Sequence, residues 1–269
     1  MADRMYPKGA QKMLQGGFDL INDDIRVALM PSSYSYSDAH EFFSHAGTPV
    51  ADELMQAKST TGGVFDADDV DFGAVDAGHV MKSLIVYKDT GDAATSPLLL
   101  YLDNIGGFPM TSTGGQVILP WSNEAERIFR IAAPFYPHAA QLLLNGELDF
   151  ESDAIHVALL PQSYQYNSAH ATLADAGGMA SFAQGKHIAL ENRSVDSGVF
   201  NASHIDFGPV ASGWNVGSAL VYRDAGTDLD SVPVLHVANL YGVPFNTNGG
   251  IVTLQWATDS AKIFALQTP

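Results

Sequence analysis

The stretch Val27-Ala28-Leu29, followed by Pro31, Ser33-Tyr34, Tyr36 and Ala39-His40, returns about 130 residues later as Val157-Ala158-Leu159, followed by Pro161, Ser163-Tyr164, Tyr166 and Ala169-His170. A whole strand and its exit loop are thus repeated in order. The match extends outward in both directions. Upstream, Tyr6-Pro7 recurs as Tyr136-Pro137, and Gln11 with Leu14 as Gln141 with Leu144. Downstream, after a short insertion in the second copy, Gly63-Val64-Phe65 pairs with Gly198-Val199-Phe200, Asp71-Phe72-Gly73 with Asp206-Phe207-Gly208, and Val86-Tyr87 with Val221-Tyr222. Asp89, Gly91, Pro97, Pro109, Gly114-Gly115, Trp121 and Ile128-Phe129 then match Asp224, Gly226, Pro233, Pro244, Gly249-Gly250, Trp256 and Ile263-Phe264.

This order predicts two tandem homologous domains, residues 1–132 and 133–269, joined near Ala132-Ala133-Pro134, where the proline favours extended chain before it. A connection of a few residues predicts domains held side by side in a fixed relation. Within one repeat, Met13, Leu14 and Phe18 among good helix formers, with Gly16-Gly17 as a stop, predict a short helix in the stretch Pro7 to Phe18. Ile25 to Met30 reads as a strand ended by Pro31, and a second short helix is expected around Ala39 to Ala46. Val80 to Lys88, Pro97 to Leu102, Gln116 to Trp121 and Ile128 to Ile131 read as further strands. The expected class is therefore mainly β: a β-sandwich or partly open barrel with one or two short helices per repeat.

Composition narrows the function classes. Hydrophobic residues make up 46% of the 269 and charged residues 16%, which suits a compact chain with a real core. The net charge of −17 repels phosphate backbones, so direct nucleic-acid binding is not expected. There is no cysteine, hence neither a disulfide nor a thiolate metal site. The segment Met1 to Lys12 does not read as a signal peptide, and no apolar run reaches the ~18 residues of a membrane-spanning helix. The reading is a soluble protein made in the cytoplasm.

The acidic run Asp66, Asp68, Asp69 and Asp71 superficially has the spacing of a calcium loop. In the second copy the run is Asn201-Ala202-Ser203-His204-Ile205-Asp206, which keeps only the last carboxylate, so a turn in which Asp71 and Asp206 accept from backbone amides is the preferred reading. Of nine histidines only His40 and His170 correspond between copies, and each is expected to open or cap the second short helix. No nucleophile elbow, phosphate loop or dinucleotide fingerprint stands in its required context, so no catalytic residue, cofactor or metal is assigned. Tyr34, Tyr36, Tyr164 and Tyr166 alternate with polar residues in a loop, a composition suited to contact surfaces, and are candidates for an interface. Tyr6 and Tyr136 in the opening segments join them as candidates, whereas Trp121 and Trp256 read as core.

Tyr6-Pro7-Lys8-Gly9-Ala10, Ile25-Arg26-Val27-Ala28-Leu29, Gly63-Val64-Phe65-Asp66-Ala67-Asp68-Asp69, Val86-Tyr87-Lys88-Asp89-Thr90-Gly91 with Ser96-Pro97, and the closing Gly114-Gly115, Trp121 and Ile128-Phe129 resemble small structural proteins of tailed bacteriophages. The resemblance covers both repeats, more fully the first; the second departs at Asn201 to His204 and has His138-Ala139 for Lys8-Gly9. It implies a virion protein, in the preferred reading a capsid decoration or cement protein on the outer surface of the major capsid lattice. Its partners would be the major capsid protein and copies of itself on the lattice, without contact to nucleic acid or membrane. A host-recognition or carbohydrate-binding module on the head or tail is the alternative.

Overall fold

The computed structural model describes residues 3–124, 127–132, 134–238, 242–257 and 262–266. The first half runs β1 (Arg4–Met5), α1 (Pro7–Leu14), β2 (Ile25–Pro31), β3 (Ala51–Leu54), β4 (Val64–Phe65), β5 (Val70–Ala74), β6 (Val80–Lys88), β7 (Leu98–Leu102), β8 (Met110–Thr111), β9 (Gln116–Leu119) and β10 (Phe129–Arg130). The second runs α2 (Pro137–Leu144), β11 (Ile155–Pro161), β12 (His187–Ala189), β13 (Ser194–Asp196), β14 (Val199–Asn201), β15 (Ile205–Pro209), β16 (Asn215–Arg223), β17 (Val232–Val237), β18 (Phe245–Asn246), β19 (Ile251–Leu254) and β20 (Phe264–Ala265). The fold is mainly antiparallel β, as expected.

In the first half the main sheet has the order β1-β7-β6-β2-β3, with β8 on the end of β6; β10-β4 and β5-β9 form separate ribbons. The second half repeats this as β12-β11-β16-β17 with β18 on β16, a small sheet β13-β14-β20, and a ribbon β15-β19. The place of β1 is taken by a bridge from Phe135 to Leu235. The strands carry the same irregularities: register shifts follow Met30 and Leu160, and again Val86 and Val221. The register also corrects one sequence match. Tyr87 faces Leu98 while Tyr222 faces Pro233, so Pro233 stands where Leu98 does and not where Pro97 does.

The central strands are covered on both faces, which explains their nearly continuous apolar runs. Along β2, Val27 and Leu29 face the large core, whereas Ala28 and Met30 face a second cluster with Tyr6, Tyr34, Ile85, Tyr87, Leu98 and Tyr101. This is the strand's two-residue alternation with both faces buried. The short helix expected in the stretch Pro7 to Phe18 is formed as α1, and α2 is its counterpart in the second half. Pro7 and Pro137 occupy the first helical turn, where the missing N–H costs nothing, and α1 ends at Leu14 before Gly16 turns at φ 66°. Gly9 lets α1 lie against β7, since a Cβ there would meet the Leu98 carbonyl oxygen at 2.2 Å.

The second helix expected around Ala39 to Ala46 is not formed; only Phe43–His45 makes a 3-10 turn. The reason is competition from a neighbouring segment of the same chain, because the Phe43 and Ser44 amides donate to the Ser96 and Ala93 carbonyls instead of to a helical ladder. The insertion in the second half supplies two further 3-10 turns, Met179–Ser181 and Ala183–Gly185, around the buried Phe182.

The two halves meet through reciprocal contacts. The Leu20 amide donates to the Leu144 carbonyl and the Phe150 amide to the Leu14 carbonyl, both at 2.9 Å. Gln141 Oε1 accepts from the Gly62 amide at 3.1 Å, and Gln11 Oε1 from the Ser197 amide at 3.3 Å. Gly63 abuts Ala140 on α2, and Gly198 abuts Ala10 on α1. Each of these contacts from one half is answered by its mirror from the other, the pattern of an isologous interface built within one chain. Met13, Leu14 and Phe18 share one core with Leu143, Leu144 and Phe150, so no seam of solvent separates the halves there. Of the proposed joint, Ala133 lies outside the described residues, while the Pro134 carbonyl accepts from the His236 amide and ties the connection to β17.

Candidate functional site

The residue set that recurs most closely in both halves is a hydrogen-bonded chain of two tyrosines and a histidine. Tyr6 immediately precedes α1 and donates its amide to the Leu99 carbonyl at 2.9 Å, which fixes its side chain under the exit loop of β2. In that loop the Tyr34 amide donates to the Pro31 carbonyl, closing a turn that folds the aromatic ring back over the sheet. The Tyr6 and Tyr34 hydroxyls lie 2.7 Å apart, and the Tyr34 hydroxyl lies 2.9 Å from His40 Nδ1. In the second half the Tyr136 and Tyr164 hydroxyls are 2.5 Å apart and Tyr164 is 3.4 Å from His170 Nδ1.

Around this chain the rings pack in a group. Tyr36 sits 5.0 Å from Tyr6 and 5.2 Å from Tyr101 between ring centroids, with the Arg4 guanidinium 5.1 Å from the Tyr36 centroid in a cation–π contact. Tyr166 takes the place of Tyr36, 4.9 Å from Tyr136, and donates its hydroxyl to the Phe135 carbonyl at 3.0 Å. His236 stands beside Tyr164 and Tyr166 at 5.3 and 6.0 Å and bonds Ser218 Oγ at 3.0 Å.

Burial, reinforced by the Tyr34 hydroxyl, pushes Tyr6 far above the ordinary phenol range, and burial with Tyr164 does the same to Tyr136. These hydroxyls stay neutral. Burial, with His45 nearby, pushes His40 below the usual histidine value. A buried neutral phenol bonded to another phenol is neither a base nor a nucleophile; the chain satisfies polar groups that the sheet's second face would otherwise bury unpaired.

This corrects the interface candidates. Tyr6 and Tyr136 are wholly buried and Tyr34 is 6% exposed, so none of the three forms an outer contact surface. Tyr36, Tyr164 and Tyr166 keep part of their surface in solvent. His40 and His170 cap no helix; they end the tyrosine chains. Replacing Tyr34 by Phe strands the Tyr6 hydroxyl in the core and is expected to cost about 1–3 kcal/mol in urea unfolding. Tyr36→Phe, which loses only an exposed bond to Asp38, is expected to stay within about 0.5 kcal/mol.

Of the acidic run, Asp66, Asp68 and Asp69 line a cleft of about 520 Å³ with Trp121, Ser122, Asn123 and Arg127. The carboxylates of Asp66, Asp69 and Asp71 are engaged by the protein. Asp71 accepts from the Gly73 amide at 2.8 Å and from Gln116 Nε2 at 2.6 Å, and Asp206 accepts from the Gly208 amide at 2.7 Å. Asp69 accepts the Trp121 amide at 2.9 Å, and His204 accepts the Trp256 amide at 3.1 Å, so two different side chains close the same turn. Asp66 pairs with Arg127 at 3.5 Å. Among the described residues no three His, Asp or Glu side chains converge as ligands for a metal ion. Trp256 is buried, as expected for core, while Trp121 keeps some exposure at the cleft.

Two features escaped the sequence reading: the reciprocal joint, and a polar clamp over the main sheet built from Arg26, Asp52, Tyr87 and Asp89 in one half and from His156, His187, Tyr222 and Asp224 in the other. Both lie in residues far apart in sequence. Against known proteins, the chain matches no family model and no curated protein.

Proposed function

We propose that this chain is a structural protein of a tailed-bacteriophage virion that binds the outer surface of the major capsid lattice as a decoration or cement protein. The observation that carries the reading is the reciprocal joint between the halves, through which one body presents the same loops twice in a fixed relation. Such a body is suited to a repeating surface. Two modest contacts held at fixed spacing reinforce each other through effective concentration, and a preorganised body loses little freedom on binding. The motif resemblance supports the same reading, and the charge of −17 suits a place away from packaged DNA.

The partners are the major capsid protein and, across the lattice, copies of the same chain; synthesis is in the host cytoplasm, and the mechanism is binding without a chemical step. Tyr36, Tyr164 and Tyr166 are the aromatic residues of the candidate set left with solvent-facing area for that contact. The partly exposed Tyr36 ring, flanked by Arg4, also suits stacking on a sugar, which keeps a host-recognition or carbohydrate-binding module as the second reading.

Purified protein added to expanded capsids that lack it is expected to bind saturably and raise the temperature of particle rupture. Tyr36→Ala and Tyr166→Ala are each expected to weaken binding about 5–30-fold, the scale of an aromatic contact residue. Failure to bind capsids, with retention on a glycan array, would reverse the order of the two readings.

A further inference from the structure

The clamp across the main sheet is built twice at matching register but from different chemistry. In the first half Arg26, opposite Tyr87 on β6, holds Asp52 of β3 through bonds of 2.8 Å from Nε and 3.2 Å from Nη2. Tyr87 donates to the same carboxylate at 2.5 Å, and Asp89 lies 3.9 Å from Arg26 Nε. In the second half His156 stands opposite Tyr222, and His187 opposite Ala158 as Asp52 stands opposite Ala28. There the Tyr222 hydroxyl is 2.5 Å from His187 Nδ1 and 3.3 Å from His156 Nδ1, which lies 3.1 Å from Asp224 Oδ2. The two imidazoles are 5.6 Å apart.

An arginine keeps its charge at every pH a protein meets, whereas histidine changes charge within the physiological range. We propose that the second half is an acid-sensitive lobe: proton uptake at His156 loosens the β11–β12–β16 clamp, in which His156 and His187 share the Tyr222 hydroxyl, while the Arg26–Asp52 clamp holds the first half closed. The groups facing the pair are Tyr222 and Asp224 from β16 and its exit, Arg193 from the segment before β13, and the apolar ring of Phe182 from the insertion. Asp228 acts on Tyr222 from further away. Among the described residues Asp224 is the one carboxylate within ion-pair distance of either histidine; it favours a charge on His156, against burial, His187 and Arg193, which disfavour one.

Burial pushes His156 below the ordinary histidine value, and the attraction of Asp224 does not restore it. The folded chain therefore holds this proton less well than the unfolded chain. The stability contributed by the neutral cluster is complete above the ordinary value near about 6.5 and is lost as pH falls toward the lower folded value. His40 in the first half and His236 in the second are also pushed down by burial, and they add a background slope outside the clamp.

The inference is independent of what surface the protein binds. Hydrogen exchange of the full chain, corrected for intrinsic rates, tests it at about pH 7.5 and 5.5, on either side of the histidine range. Protection in β11, β12 and β16 is expected to fall about three- to tenfold on acidification, while that in β2, β3 and β6 is kept. The double variant His156→Arg/His187→Asp, which transplants the first-half clamp, is expected to remove most of the difference. Equal loss in both halves, or no loss in the second, overturns the proposal. Should that variant fail to fold, the ring-proton titration of His156 in the wild-type chain decides: a value at or above the ordinary one overturns it, and a lower one supports it.

Discussion

Replacing Gly63 by alanine is expected to lower stability by about 3 kcal/mol, and Gly198→Ala by a similar amount, measured by urea unfolding. Both residues turn the chain with positive φ, 78° and 80°, a region that costs an L side chain roughly 1–2 kcal/mol. Both also sit in the joint, where a new Cβ would lie 2.4 Å from the Ala140 Cβ and 2.6 Å from the Ala10 Cβ, against helices whose other side is core. The remainder of the loss is this overpacking, which typically costs about 1–3 kcal/mol. Gly73 and Gly208 are the controls. They too have positive φ, 67° and 65°, but a Cβ on either would meet nothing within 4 Å. Their alanine variants should therefore show only the backbone part, about 1 kcal/mol. If all four substitutions cost the same, the close approach at the joint is not what the glycines serve.

Phe150→Ala is expected to cost about 4 kcal/mol, the scale of deleting a buried aromatic ring. Phe150 is wholly buried; its ring lies 4.8 Å from Phe200 and 5.0 Å from Phe264, and its amide crosses to the first half through Leu14. Leu20 holds the mirror position, donating its amide to Leu144, and Leu20→Ala is expected to cost about 3 kcal/mol. Because the core runs through both halves, each variant should shift one common transition and not split it in two. Two separated transitions in Phe150→Ala would mean that the halves melt independently and that the shared core is energetically minor.

The strands were legible because their pattern is local. The run Ile25 to Met30 and the run Leu84 to Tyr87 are apolar at almost every position, and each became a central strand buried on both faces. The same continuity carried a further message. A strand buried on both faces requires a cover over each, and the segment available to cover the outer face was the Ser-Tyr loop itself. That is why Tyr34 folds inward with Tyr6, although the composition of the loop pointed outward. The segment Ala39 to Ala46 failed as a helix for a reason no local pattern holds, since its amides are taken by Ser96 and Ala93, about 50 residues away in sequence.

Reading the two copies against each other recovered the roles of Asp71 and Asp206, where the chemistry is shared. It did not recover the clamp, where Arg26 and Asp52 face the same strand positions as His156 and His187. Substituted pairs look like lost matches in a sequence comparison, and only the register shows that they do one job. Pro97 and Pro233 illustrate the converse, an identical residue in both copies at positions that the strands do not align.

The most direct test of the proposed role is cryo-electron microscopy of particles that carry the chain. The account predicts paired β halves on the outer capsid surface, bridging neighbouring capsid subunits, with Tyr36, Tyr164 or Tyr166 in the contact and Tyr6, Tyr34 and Tyr136 inside the fold. Density confined to a tail or fibre, or absence of the chain from the particle, would contradict it.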